Sequence, residues 1–245
     1  MRKAIIVATA LSILLVGAFS PNTVTASEKE VFDAPSAQAM AQSSNPDKVI
    51  MRKYAWGERS KKVLELQKTI NANHELVDEN GKYGLNTRYY HKKMLEKRGL
   101  STKRVPKIPK SALAPYPSDK TKRCPKWEAK LEEHGLEPVD YFSYVMWRES
   151  RCQPKAVGWN YRSGMSRNDC GSGVYGQHMK CKAVKSWDVG LLQINSSWNT
   201  ATTQICGKNT RTKILMNPEC NLKVARYLML NGGYGHWSGQ SSIED

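Results

Sequence analysis

All six cysteines of this 245-residue chain fall between Cys124 and Cys220. The second half must therefore fold around whatever they bind. An even number of cysteines in an exported chain reads as disulfides. Several connectivities are possible. Cys170–Cys181 and Cys206–Cys220 are favoured because they close short local loops, which leaves Cys124–Cys152. The competing reading is a metal site. It lacks a Cys-x-x-Cys pair and a His-x-x-x-His, so no metal or other cofactor is expected.

The start of the chain agrees with export. Arg2-Lys3 precede an apolar run from Ala4 to Phe19, and Val24-Thr25-Ala26 form a small-residue cleavage site. The run is short for a membrane span. Residues 1–26 thus read as a secretory signal, with an uncleaved anchor as the alternative, and no lipid-modified cysteine is in place. A secreted or periplasmic, wall-associated monomer is expected, free of the membrane once the signal is cleaved.

The formal charge is +16, and +14 without the signal. Residues 27–50 sum to −2, 51–100 to +6, 101–123 to +6 and 124–245 to +4. Most of the excess therefore lies outside the cysteine-bearing half. Basic surfaces attract nucleic acid, anionic lipid or acidic polymer. For an exported chain the partner expected is anionic cell wall, not nucleic acid; plain solubility is the bland alternative. The clustered glycines lack the strand and helix flanks of a nucleotide-binding loop.

Composition divides the chain further. Residues 27–50, rich in Ser, Ala, Gln, Asn and Pro without a period, read as a disordered segment. Residues 51–100 carry a compact helical pattern. Val63, Leu66 and Ile70 make one helical face, and Leu76 to Gly81 a turn. A second helix is expected from an N-cap near Asn86-Thr87 to Gly99, with Tyr90, Met94 and Leu95 as its apolar stripe. Residues 101–123 hold four prolines among seven Lys and Arg, and read as an extended linker. In residues 124–245 a helix is expected near Pro125–His134, ended by Gly135. Another starts near Pro138. The glycine-rich residues 151–189 read as a loop or short β-hairpin held by Cys170–Cys181. The fold class is mainly α, an α+β domain with a short hairpin region plus a small helical module.

Phe142, Val145, Met146 and Glu149 fall at i, i+3, i+4 and i+7, so Glu149 continues a buried stripe. Burial disfavours the charged form of an acid, and a partly desolvated carboxyl suits protonation of a leaving oxygen in glycoside cleavage. The alternative reading is a Glu at a helix end that only pairs with Arg148 or Arg151. Downstream, Gly190-Leu191-Leu192-Gln193-Ile194-Asn195 is a loop of backbone-permissive and amide residues of the kind that lines a sugar groove.

Four strings together carry a resemblance: Glu149-Ser150; Gly190 to Asn195; Asn217-Pro218-Glu219-Cys220-Asn221-Leu222-Lys223-Val224-Ala225; and Tyr234-Gly235-His236-Trp237. In this order, over about residues 124–238, they resemble the lytic transglycosylase (SLT-like) branch of the lysozyme superfamily. The resemblance implies an enzyme acting on peptidoglycan glycan strands. Glu149 would be general acid, then base, cleaving the MurNAc–GlcNAc β-1,4 bond and forming a 1,6-anhydromuramic end. Ser150, Gln193, Asn195, Tyr234 and Trp237 are the expected substrate-binding residues. Among the aromatics, Tyr234 and Trp237 lead Trp159, Tyr161 and Trp187 because glycines flank them. Asn221 either faces the groove or caps a helix. Asp188, two residues before Gly190, also resembles the second carboxylate of animal-type lysozymes, which hydrolyse the same bond. A non-catalytic wall lectin and an accessory that opens the wall for a secretion partner are the remaining alternatives. Residues 51–100 resemble the three-helix peptidoglycan-binding module at Gly57, Val63, Leu66-Gln67, Asp78, Gly81, Tyr83-Gly84, Thr87 and Gly99-Leu100. They depart from it at Tyr90-His91 and Met94-Leu95.

Overall fold

The computed structural model describes residues 45–73, 75, 77–171, 179–207 and 213–238. The signal and most of the 27–50 segment lie outside them. The chain runs through α1 (Pro46–Ile50), α2 (Lys61–Asn71), α3 (Leu85–Lys97), α4 (Pro125–Glu133), α5 (Val139–Ser150), β1 (Val157–Tyr161), β2 (Val184–Val189), β3 (Ile194–Asn195), α6 (Asn199–Cys206) and α7 (Pro218–Gly232). The architecture is mainly helical with one small antiparallel sheet of order β1-β2-β3. No helix among the described residues is long and apolar enough to cross a membrane.

Two apolar cores form. The first gathers Val49, Ile50, Val63, Leu66, Ile70, Tyr83, Met94 and Leu95 from α1 to α3. Residues 45–50, at the end of the segment expected to be disordered, are instead ordered: the Asn45 side chain caps α1, and Val49 and Ile50 are fully buried. His91, in one of the departures from the module pattern, is a satisfied core residue. Nε2 lies 2.7 Å from the Ile50 carbonyl and Nδ1 2.7 Å from the Tyr83 hydroxyl. A carbonyl only accepts, so Nε2 carries the proton and Nδ1 accepts from Tyr83. Burial lowers the His91 pKa, in keeping with this neutral form. Helix α3 starts earlier than expected. Gly84 is its N-cap, without a side-chain bond, and the Thr87 hydroxyl accepts instead from buried Gln67 Nε2 at 3.0 Å.

The second core centres on α5 and α7, with Leu131, Phe142, Val145, Met146, Leu191, Leu192, Val224 and Ala225 fully buried. Disulfides Cys124–Cys152, Cys170–Cys181 and Cys206–Cys220 staple it. In the chain-entropy view each such loop closure contributes about 3 kcal/mol.

The two cores belong to one compact unit, Ser44–Asp245. Residues 101–123 run extended with three short 3₁₀ turns, and they are not a free tether. Val105 is buried in the first core, while Ile108, Leu113 and Tyr116 pack on the second. The Tyr116 hydroxyl donates to Asp140 Oδ2 at 2.9 Å. A second joint is Glu137, whose carboxylate pairs with Arg88 at 2.6 Å and with Lys92, both on α3. Burial opposes ionisation of Glu137, but the Lys92 and Arg88 contacts outweigh it and hold its pKa below the usual 4.5. A lowered folded-state pKa stabilises above the unfolded value and is lost as pH falls through the folded one. The melting temperature should therefore drop more steeply from pH 5 to pH 3 in the native protein than in Glu137→Gln. Parallel pH profiles would remove Glu137 from this role.

Candidate active site

Helix α5 ends because Arg151 and Cys152 adopt left-handed backbone (φ 51° and 65°) and the disulfide to Cys124 ties the chain there. This places Glu149 in the last turn, with its side chain 18% exposed. The pairing with Arg148 that competed with the acid reading is present. Arg148 Nε and Nη2 donate to Glu149 Oε1 at 3.0 and 2.5 Å. Both bonds reach one oxygen, and Oε2 accepts none among the described residues. Pairing and a free oxygen thus coexist on one carboxyl group. Arg148 Nη2 also donates to the Trp237 carbonyl at 2.6 Å.

The glycine loop turns between β2 and β3. Gly190 has φ 81°, which favours glycine, and its N–H donates to the Ala156 carbonyl at 2.9 Å. Buried Asn221 staples the loop from α7. Its Oδ1 accepts from Leu192 N at 2.9 Å, and its Nδ2 donates to Val189 O and Leu215 O at 2.9 and 3.1 Å. Neither expected role of Asn221 holds. Asn217 caps the helix, and Asn221 is spent on three orphan backbone groups of the loop.

Strand pairing sets Asp188 opposite Asn195 on one side and Gly158 on the other. Asn195 Nδ2 donates to Asp188 Oδ1 at 2.8 Å, and Asn160 Nδ2 to Oδ2 at 2.7 Å. A cleft of about 100 Å³ is lined by Asp188, Gln193, Asn195, Trp198, His236 and Trp237. Glu149 is not among the lining residues; Arg148, which bonds both the acid and the Trp237 carbonyl, ties it to the backbone of one wall.

Other expected site residues are placed differently. Ser150 is buried, and its hydroxyl donates to the Met146 carbonyl four residues back at 2.9 Å, so it does not orient the acid. Tyr234 is 5% exposed and its hydroxyl donates to the Glu137 carbonyl. Trp237 is 4% exposed, with Nε1 donating to the Leu192 carbonyl at 3.1 Å. The glycines around them do not expose these rings. They let the 3₁₀ turn fold the rings inward against Phe142. Tyr234 is therefore core, and Trp237 is a wall of the cleft. Gln193 Nε2 folds back onto Gly190 O and Ala156 O at 2.8 and 3.2 Å. Trp159 and Trp187 face each other across β1 and β2 with ring centroids 6.1 Å apart.

The exposed aromatic at the cleft is Trp198, 37% accessible, edge-on to exposed His236 at 5.4 Å. The sequence reading passed over it. Its signal is the Asn195 turn, where Oδ1 accepts from Ser197 N and opens a 3₁₀ turn that ends on Trp198. Such a ring can pack on the CH-rich face of a sugar.

Residues 126–241 match the family model of the transglycosylase SLT domain. That segment is lysozyme-like and spans a little under half of the chain. No curated protein and no solved structure matches the chain.

Proposed function

We propose that this protein is an exported peptidoglycan lytic transglycosylase. The observation that carries this is the half-committed Glu149 carboxyl, with one oxygen pinned by Arg148 and the other free, inside a segment matching the SLT domain. Protonated on Oε2, Glu149 gives its proton to the glycosidic oxygen as the C1–O bond of N-acetylmuramic acid breaks. The resulting carboxylate then takes the proton of that sugar's C6 hydroxyl, and O6 bonds to C1. No water is consumed, and Glu149 returns protonated only through the proton it has just received. Asn195, Gln193 and the Trp198 ring supply the cleft that orients the sugars. Export is supported by the three disulfides and by the signal-like residues 1–26.

A specific observation favours a second reading, hydrolysis with Asp188 as second carboxylate. Both its oxygens accept from side-chain amides at the cleft, which fixes a carboxylate in the position that stabilising a developing positive C1 requires. Product mass separates the two. Residues 27–245 should release muropeptides one water lighter than hydrolysis products, and Asp188→Asn should lower the rate far less than loss of Glu149 does. Reducing muramic ends, with Asp188→Asn nearly inactive, would establish hydrolysis. Absence of any release from several wall types would favour a lectin.

Residues 51–123 carry +12 of the mature charge, and we assign them wall binding. Retention on insoluble peptidoglycan should fall steeply as salt shortens the reach of these charges to about 8 Å at physiological ionic strength. Retention independent of salt would leave the segment a purely structural unit.

A further inference from the structure

A second cleft, of about 420 Å³, lies where α3 meets α4 and α7. This is within the range of ligand sites, about 300–1,000 Å³, which favour such seams. One wall carries Arg88, Tyr89, Lys92 and Lys93 from α3; the other carries Glu132 from α4 and Arg226 from α7.

Most of its charges are already paired within the protein. Arg88 and Lys92 hold Glu137, Lys93 holds Glu75 at 2.6 Å, and Glu133 holds Lys130 at 2.7 Å. Two are not. The guanidinium of Arg226 is half-buried and has no hydrogen bond or ion pair among the described residues. It sits over the Tyr89 ring, 5.6 Å from its centroid. The Glu132 carboxylate likewise has no partner there. The ring's position depends on Gly135, where a Cβ would come 2.6 Å from Tyr89 Cε2. Only a glycine leaves the aromatic floor under Arg226 in place.

An unpaired guanidinium matches a carboxylate with two parallel N–H bonds. An unpaired carboxylate in the same cleft matches an ammonium. The lining is otherwise balanced in charge, with four cations and four acids, so it offers little to a simple polyanion. A short zwitterionic peptide satisfies both free groups. We propose that this cleft binds the peptide stem of the glycan strand, with Arg226 taking a carboxylate and Glu132 the side-chain amino group of a diamino residue of the stem. This rests on the reading of the chain as peptidoglycan-cleaving. It adds that α3 and the catalytic segment hold one strand together, through its peptide as well as its sugars.

The test is calorimetric titration of the full-length secreted chain with free stem peptide that carries no sugar. The peptide is acylated at its N-terminus, as it is on the strand, and parallel titrations use the peptide also acetylated on its side-chain amine, the C-amidated peptide and inorganic phosphate. Charge-assisted bonds of this kind are each worth about ten- to a hundredfold in affinity. Arg226→Gln and amidation should each weaken binding by at least about tenfold, and amidation should have little further effect in Arg226→Gln. Glu132→Gln and side-chain acetylation should form a second such pair. The proposal is overturned by no binding to a protein of native melting temperature, by binding indifferent to both substitutions, or by phosphate binding as tightly as the peptide. Cleavage of stem-free glycan strands by the same preparation reports on the catalytic reading independently. Cleavage without peptide binding removes only this inference; peptide binding without cleavage removes only the catalytic one.

Discussion

Replacing Glu149 with Gln should lower glycan cleavage by about 10²–10⁴-fold, the usual contribution of a positioned general acid–base, while the melting temperature stays close to native. Gln keeps the shape and still offers Arg148 an acceptor oxygen at the Oε1 position, so the bridge from Arg148 to the Trp237 carbonyl survives. What it loses is the ionisable Oε2. Release of muropeptides from purified peptidoglycan, measured beside the thermal melt, checks both halves. Turnover within a few-fold of native would take Glu149 out of the proton transfer. A collapsed melting temperature would instead mark it as a structural partner of Arg148.

The largest structural effect is expected at Gly190→Ala. A Cβ there would sit 2.3 Å from the Leu215 carbonyl oxygen and 2.4 Å from Asn221 Nδ2, at a φ of 81° that side chains resist. Neither neighbour can yield cheaply. One is backbone, and the other is the buried amide that satisfies Leu192 N, Val189 O and Leu215 O. Backbone strain of about 1–3 kcal/mol adds to about 1–3 kcal/mol for each buried polar group left unpaired. A loss of at least about 3 kcal/mol in urea denaturation is expected, with activity falling in step. Gly164→Ala is the control. Its φ of 75° is similar, yet its Cβ would meet nothing within 4 Å, so it should show the strain alone. Equal losses at the two sites would mean that the Asn221 staple contributes little.

Much of the catalytic segment was legible along the chain. The 3.6-residue apolar period of α5 is written in Phe142, Val145, Met146 and Glu149, and the glycines after α3 and α4 mark those helix ends with left-handed backbone. The local cysteine loops point to the same three bridges that the structure contains. These are short-range signals, each carried by the residue's own geometry or by a partner close in sequence.

The site's internal wiring was not legible, because it depends on partners far apart in the chain. Asn221 reaches back 29 residues to Leu192, and Arg148 reaches forward 89 to the Trp237 carbonyl. Flanking glycines suggested that Tyr234 and Trp237 stand exposed. Their burial is decided by Phe142 and by carbonyls at Glu137 and Leu192, which accept from the two rings. The proline- and lysine-rich 101–123 segment shows the same division. Composition determines that it is extended, since proline forbids helix there. Only the assembled fold decides that it lies against both cores, because Val105 and Tyr116 find apolar surface that no local pattern announces. The sequence by itself determined the main helices and the disulfide staples. Tertiary packing decided which side chains face the cleft, because a polar or aromatic group goes wherever its hydrogen bonds and contacts are best satisfied, and those partners come from the whole chain.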